Sequence, residues 1–169
     1  MNKLNRLLVA GLLVGCTLAP VPALSGALTD YAENKTLDAL IRAQAIGTPA
    51  TWYVALYTTC PTDSTSGTEV SGGSYARVAV TAGLTQWAGS QSAGSTTASS
   101  GTSGTTSNNA TISFTTPTAG WGTVTCWGLT DASTAGNIWI YSTLTTSKTI
   151  NSGDSVSFAA GAATFQIDN

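Results

Sequence analysis

The sequence predicts a mainly β protein: a single jelly-roll-like β-sandwich of about eight strands, preceded by one helix and an N-terminal hydrophobic segment. Three observations predict it. Ser and Thr stand far above ordinary usage, and Thr favours strands. The 18 glycines supply many turns. Short runs of alternating apolar and polar residues recur, with turn signals between them. The 169 residues suffice for one domain with its own core. The expected division is 1–24 as a separate segment and 25–169 as the sandwich.

The segment 1–24 begins with Lys3 and Arg6 and continues into the apolar run Leu7–Val14, broken by Gly11. That run is too short to span a bilayer, which takes about 20 apolar residues. It has the form of an export signal. Leu13-Val14-Gly15-Cys16 resembles a lipobox, which makes Cys16 a candidate for lipidation, and Val21-Pro22-Ala23 has the form of a small-x-small cleavage site. The other reading is a hydrophobic arm held against the body or a neighbouring subunit.

One helix is expected over 29–46. Thr29 suits an N-cap, and Asp30 and Glu33 sit where the helix dipole favours acids. Leu37, Leu40 and Ile41 fall on one face. Arg42 lies near the end, and Gly47 and Pro49 stop the helix. "ATWYVALYTT" is a strand with Trp52, Val54 and Leu56 on one face and Tyr53, Ala55 and Tyr57 on the other. "YARVAVTAG" is a second strand and "LTQWA" a candidate third. The stretch 88–108 is low-complexity Gly/Ser/Thr sequence and is expected to be a long loop. "ATISFTT" resumes the alternation. "WGTVTCWGLTD" sets Val124, Cys126 and Gly128 against Thr125, Trp127 and Leu129. "GNIWIYSTLTT", "DSVSFAA" and "AATFQIDN" complete the set.

The chain has no His, so the commonest general base and metal ligand is missing. Asp30, Glu33 and Asp38 read as a solvated helix face, and Asp131 as a turn cap. Asp63 and Glu69 flank a polar loop without a calcium-loop pattern. The serines have no evident base and no G-x-S-x-G setting. The Gly-rich stretches lack the Lys and helix of a phosphate loop. Six Lys and Arg are too few for a nucleic-acid surface. No catalytic residue, metal site or cofactor is expected, and a membrane enters only if Cys16 is lipidated. Cys60 and Cys126 form no C-x-x-C pair; they are a candidate disulfide or two buried thiols. The five tryptophans (Trp52, Trp87, Trp121, Trp127 and Trp139) are candidate core and interface anchors.

An ordered set of motifs points further. "LTDYAENKTLDALIRAQAIG" leads to "YVALYTT" and "TEVSGGSYARVAV". "WGTVTCWGLTDASTAGN" and "LTTSKTINSGD" follow. Over about residues 27–169, the stretch 88–108 apart, the chain resembles small tailed-bacteriophage virion proteins of the tail fibre or appendage type, some of which decorate the head. The resemblance implies a structural virion component without catalysis, whose partners are further copies of itself and other virion proteins. It marks structural positions. Gly72, Gly73, Tyr75 and Arg77 would make a turn into a strand. Gly122, Gly128, Asp131, Gly136 and Asn137 would set a hairpin, and Lys148, Asn151, Gly153 and Asp154 a later turn. Arg77, nearly alone as a cation in the β-body, would pair with Asp131 or Glu69. The segment 1–24 and the insert 88–108 depart from the family pattern. Two alternatives remain at this level: an exported lipoprotein or adhesive surface protein, and a module binding a host surface glycan through its aromatic residues.

Overall fold

The computed structural model describes residues 26–92, 94–101 and 104–167. The expectations for 1–24, the signal-like or arm segment with Cys16, lie outside them. In chain order the elements are β1 (Gly26–Leu28), α1 (Asp30–Arg42), β2 (Thr51–Thr59), β3 (Thr68–Glu69) and β4 (Val78–Thr81). Then come β5 (Thr105–Ser107), β6 (Ile112–Ser113), β7 (Gly122–Thr130), β8 (Ile138–Ile150), β9 (Ser157–Phe158) and β10 (Thr164–Gln166). The protein is mainly β, with ten strands among the described residues rather than about eight, and one strand precedes the helix.

A six-stranded antiparallel sheet forms the main layer, in the order β1-β8-β7-β2-β3, with β4 also on β2. β4 pairs with the first half of β2 and β3 with its end, so the two share the edge opposite β7. The second layer is two separate pairs, β5 with β10 and β6 with β9. Val54 and Leu56 of β2 pack with Val124, Trp127 and Leu129 of β7, and with Ile112, Phe114 and Phe165 from the second layer. Ala55, Tyr57 and Cys126 form a small cluster apart, with Cys60 and Ile138 beside it. The alternation along β2 therefore runs as its sequence predicts.

β7 does not follow its expected alternation throughout. Val124 lies opposite Lys148 and Cys126 opposite Thr143, so Thr125 alone faces residues 144–147 of β8. This bulge resets the phase of the strand. Val124 and Trp127 enter the same core, while Cys126 belongs to the small cluster.

The helix is shorter than the expected 29–46. Thr29 caps it as predicted, accepting a hydrogen bond from the Ala32 N–H. Ala43 turns left-handed at φ 54° and ends it before Gly47. The cause is packing. Among the described residues α1 packs chiefly on β1 and β8, the Asp30 N–H donates to the Asp63 carbonyl at 3.0 Å, and Tyr31 sits edge-on to Trp139 at 5.2 Å. Among the described residues Ala32, in the first turn, is the one buried residue of the helix, and a short helix without tertiary support frays. The face that carries Leu37, Leu40 and Ile41 is exposed, at 55% for Leu37 and 76% for Leu40 and Ile41.

Two more expectations change. "LTQWA" is a turn whose one ladder contact is Trp87 with Asn108. The stretch 88–108 is not loop throughout, because its end forms β5. Ladder bonds come from the backbone, and Thr105 and Thr106 suit a strand, so low complexity did not prevent pairing.

Candidate assembly site

Three polar side chains and one covalent link, four tie points in all, organise the body. The first is Arg77, just before β4, with a side chain 8% exposed. Its Nε and Nη2 donate to both oxygens of Glu69, each at 2.7 Å. Its Nη1 donates to Thr130 Oγ1 at 2.9 Å and to the carbonyls of Ala132 and Ala135 at 2.7 and 2.8 Å. One guanidinium thus ties β3 to the end of β7 and to the following turn. A planar fork does this and a point charge does not. Of the two expected partners, the ion pair is with Glu69. Tyr75 Oη also donates to Glu69, at 3.0 Å, and accepts from the Leu56 N–H. Burial first, with the charge and hydrogen bond of Glu69 adding and the Leu56 N–H pulling the other way, holds the Tyr75 phenol well above its usual range. Burial, with the Glu69 charge adding, does the same for Tyr57.

Asp131 sets the β7–β8 turn. Its carboxylate accepts from the Asn137 N–H at 2.7 Å, from Asn137 Nδ2 at 2.8 Å and from Trp139 Nε1 at 3.2 Å. Burial, the largest single influence, pushes its pKa up, but these hydrogen bonds together outweigh it and the carboxyl titrates below 3.8. Gly136 follows at φ 72°, and a Cβ there would meet the Ala132 Cβ at 2.7 Å, so the turn requires glycine. The later turn falls at 151–154, where Asp154 accepts from the Asn151 N–H at 2.7 Å; Lys148 lies within β8 instead.

Asn108 went unnoticed in the sequence. It is 1% exposed. Its Nδ2 donates to the carbonyls of Ala110 and Ala159, and its Oδ1 accepts from the Ala163 N–H, all at 2.8 Å. It joins the chain leaving β5 to the connection between β9 and β10. Nothing in "TSNN" separates it from the polar tract before it, apart from its place next to a strand.

The fourth is the disulfide between Cys60 and Cys126, with Cα atoms 5.3 Å apart and a sequence separation of 66. It fixes the loop after β2 to the middle of β7.

The aromatic candidates lie mostly inside. Trp121, Trp127 and Trp139 are buried. Trp121 donates to the Gly73 carbonyl at 3.0 Å and meets Tyr75 edge-on. Trp52 and Trp87 are half-buried. No tryptophan among the described residues offers an exposed ring to a sugar.

Two surface features remain. One is the apolar stripe of α1. The other is a cleft of about 360 Å³ beside the β8 bulge, lined among others by Val124, Trp127, Leu144 and Phe158. Among the described residues no group of acidic or cysteine side chains is arranged to hold a metal ion, and no helix is long and apolar enough to cross a membrane.

A family model described as "Podophage GP4 fiber I protein gp80" matches residues 27–166. No curated protein matches the chain.

Proposed function

Since the chain belongs to the podophage GP4 fiber I protein gp80 family, and is thereby a phage fibre structural protein, we propose that it works by subunit assembly and without catalysis. Its partners are further copies of itself and other virion proteins. The observation that carries this is the match over 27–166 joined to the exposed stripe of Leu37, Leu40 and Ile41. A contiguous apolar strip on a protein with few charges suits a subunit contact. The polar groups able to do chemistry support the same reading, because Arg77, Glu69 and Asp131 are engaged in holding strands and turns together. The segment 1–24 serves as a retained assembly arm.

Reconstruction of purified virions, with mass spectrometry of their proteins, tests this. The chain is expected in the fibre at fixed stoichiometry, with its Met1–Arg6 peptide present. Virions lacking the chain would overturn the assembly reading, and a mature chain beginning at a lipidated Cys16 would overturn the arm. Leu40→Ser with Ile41→Ser should weaken self-association without unfolding the sandwich, since neither side chain touches its core.

A further inference from the structure

The open edge of the main sheet along β4 has no role in the contacts described so far. Among the described residues β4 pairs only with β2, from Thr81 opposite Thr51 to Val78 opposite Val54. In the same register the Ala82 N–H donates to the Ala50 carbonyl at 2.9 Å. Inward and outward groups alternate along an antiparallel ladder, so Val78 and Val80 also turn their N–H and C=O to β2. Those of Ala79 and Thr81 therefore face away from it. An unpaired edge of this kind is a template for another strand. Beside it lies a cleft of about 260 Å³ between β4 and the chain entering β6, lined by Val78, Val80, Ala110 and Ile112 among others. Val78 and Val80 are half-buried against the main core, while Ala79 and Thr81 are exposed. Residues 78–86 hold no charge and no proline, and the β2–β4 register runs without a bulge. Arg77 flanks the edge, but its guanidinium is buried and committed to Glu69.

We propose that β4 pairs antiparallel with β4 of a second copy of the chain, across a two-fold axis at Val80. An axis there sets Ala79 of each copy opposite Thr81 of the other. Both members of such a pair have outward N–H and C=O groups, so they exchange both of their bonds. The two Val80 residues meet as a close pair on the side of the sheet that faces the clefts, and the clefts of the two copies join beneath them. An apolar side chain from each copy thus covers apolar surface of the other. The charge pattern selects a second copy as the occupant. A two-fold contact sets one surface against itself, and like charges directly opposite each other are destabilising; this edge has none to oppose. Leu84, exposed just past the end of β4, lies where the second copy's chain enters its own β4 and is covered there. The two six-stranded sheets become one. The contact is separate from the α1 stripe, and it rests on the reading above that copies of the chain assemble.

The test uses the full chain with Cys16→Ser, and with Leu40→Ser and Ile41→Ser to remove the α1 contact. Val80→Cys is added, and the chain is oxidised mildly at high protein concentration with the bonds mapped by mass spectrometry. Close cross-strand pairs stand about 4.5 Å apart at Cα, within disulfide reach, so most of the chain should become a dimer linked 80 to 80. Ala79→Cys is the more exposed thiol, but it faces Thr81 of the other copy rather than itself, and should link little. Ala79→Pro removes an N–H that gives nothing to β2, a place where an edge strand tolerates proline. Added to Val80→Cys it should cut the yield several-fold, and Thr81→Pro should do the same from the other end. Urea unfolding followed by tryptophan fluorescence identifies a proline variant that keeps its fold. No 80–80 bond, equal yields from Val80→Cys and Ala79→Cys, or an undiminished yield in a folded proline variant would each overturn the pairing. Virions lacking the chain would overturn the assembly reading instead, while the crosslink in the purified chain would still report on this edge.

Discussion

Replacing Arg77 with alanine tests the central claim about the polar framework. The change removes five hydrogen bonds and leaves the Glu69 carboxylate without its cation. Breaking a buried pair from one side costs about 3–5 kcal/mol. The lower end applies, because Glu69 is 27% exposed and keeps the Tyr75 hydroxyl as a donor. Ala135 is exposed, so water can replace the lost donor at its carbonyl. The expected loss is about 3 kcal/mol, or roughly 6–12 °C in Tm for a chain of this size. Urea unfolding followed by tryptophan fluorescence measures it, since Trp121 and Trp127 are buried in the folded state. Arg77→Lys keeps the charge but cannot fork onto the carboxylate and reach the turn as well, so it should recover only about half the loss. If Arg77→Lys were as stable as the natural chain, or Arg77→Ala lost less than about 1 kcal/mol, the bidentate and turn contacts would not be what stabilises the fold.

Asn108→Ala leaves the Ala163 N–H and two carbonyls without their partner, and should cost about 2–4 kcal/mol in the same urea assay. Asp131 has a folded pKa below its ordinary 3.8, so its stabilisation is present above about pH 4 and fades as pH falls through the lower folded value. Asp131→Asn should therefore flatten the acid limb of Tm against pH and leave its alkaline limb unchanged. Reducing the Cys60–Cys126 bond should lower stability by up to about 4 kcal/mol on chain-entropy grounds, for a separation of 66 residues. Unfolding curves with and without dithiothreitol measure that loss, and coincident curves would show that the bond contributes nothing.

How much of this was legible depended on whether a signal was local. The alternation in "ATWYVALYTT" could be read directly, because each residue of β2 keeps its face and no bulge intervenes. The Arg77–Glu69 pair was within reach because cations are scarce in the β-body. The bulge at Thr125 was not, since it arises from four residues of a different strand. The cleft that depends on it was therefore hidden too. The stripe Leu37, Leu40 and Ile41 could be read as a face and no further, for a related reason. Helical periodicity identifies an apolar face, but not whether the fold places anything against it. Asn108 lies at the end of a tract whose composition carries no pattern, and its partners come from residues about 50 positions away.

The Cys60–Cys126 bond also has a mechanical meaning for a fibre subunit. It encloses β3 to β6 and the whole low-complexity stretch. A pull applied at the two ends of the chain passes through the bond and never reaches the enclosed segment. With the residues across a sequence separation of 66 so shielded, roughly 210–240 Å of extended contour stays out of the load path. The stretch with the least apolar sequence to hold it is thus the part of the subunit that tension cannot draw out.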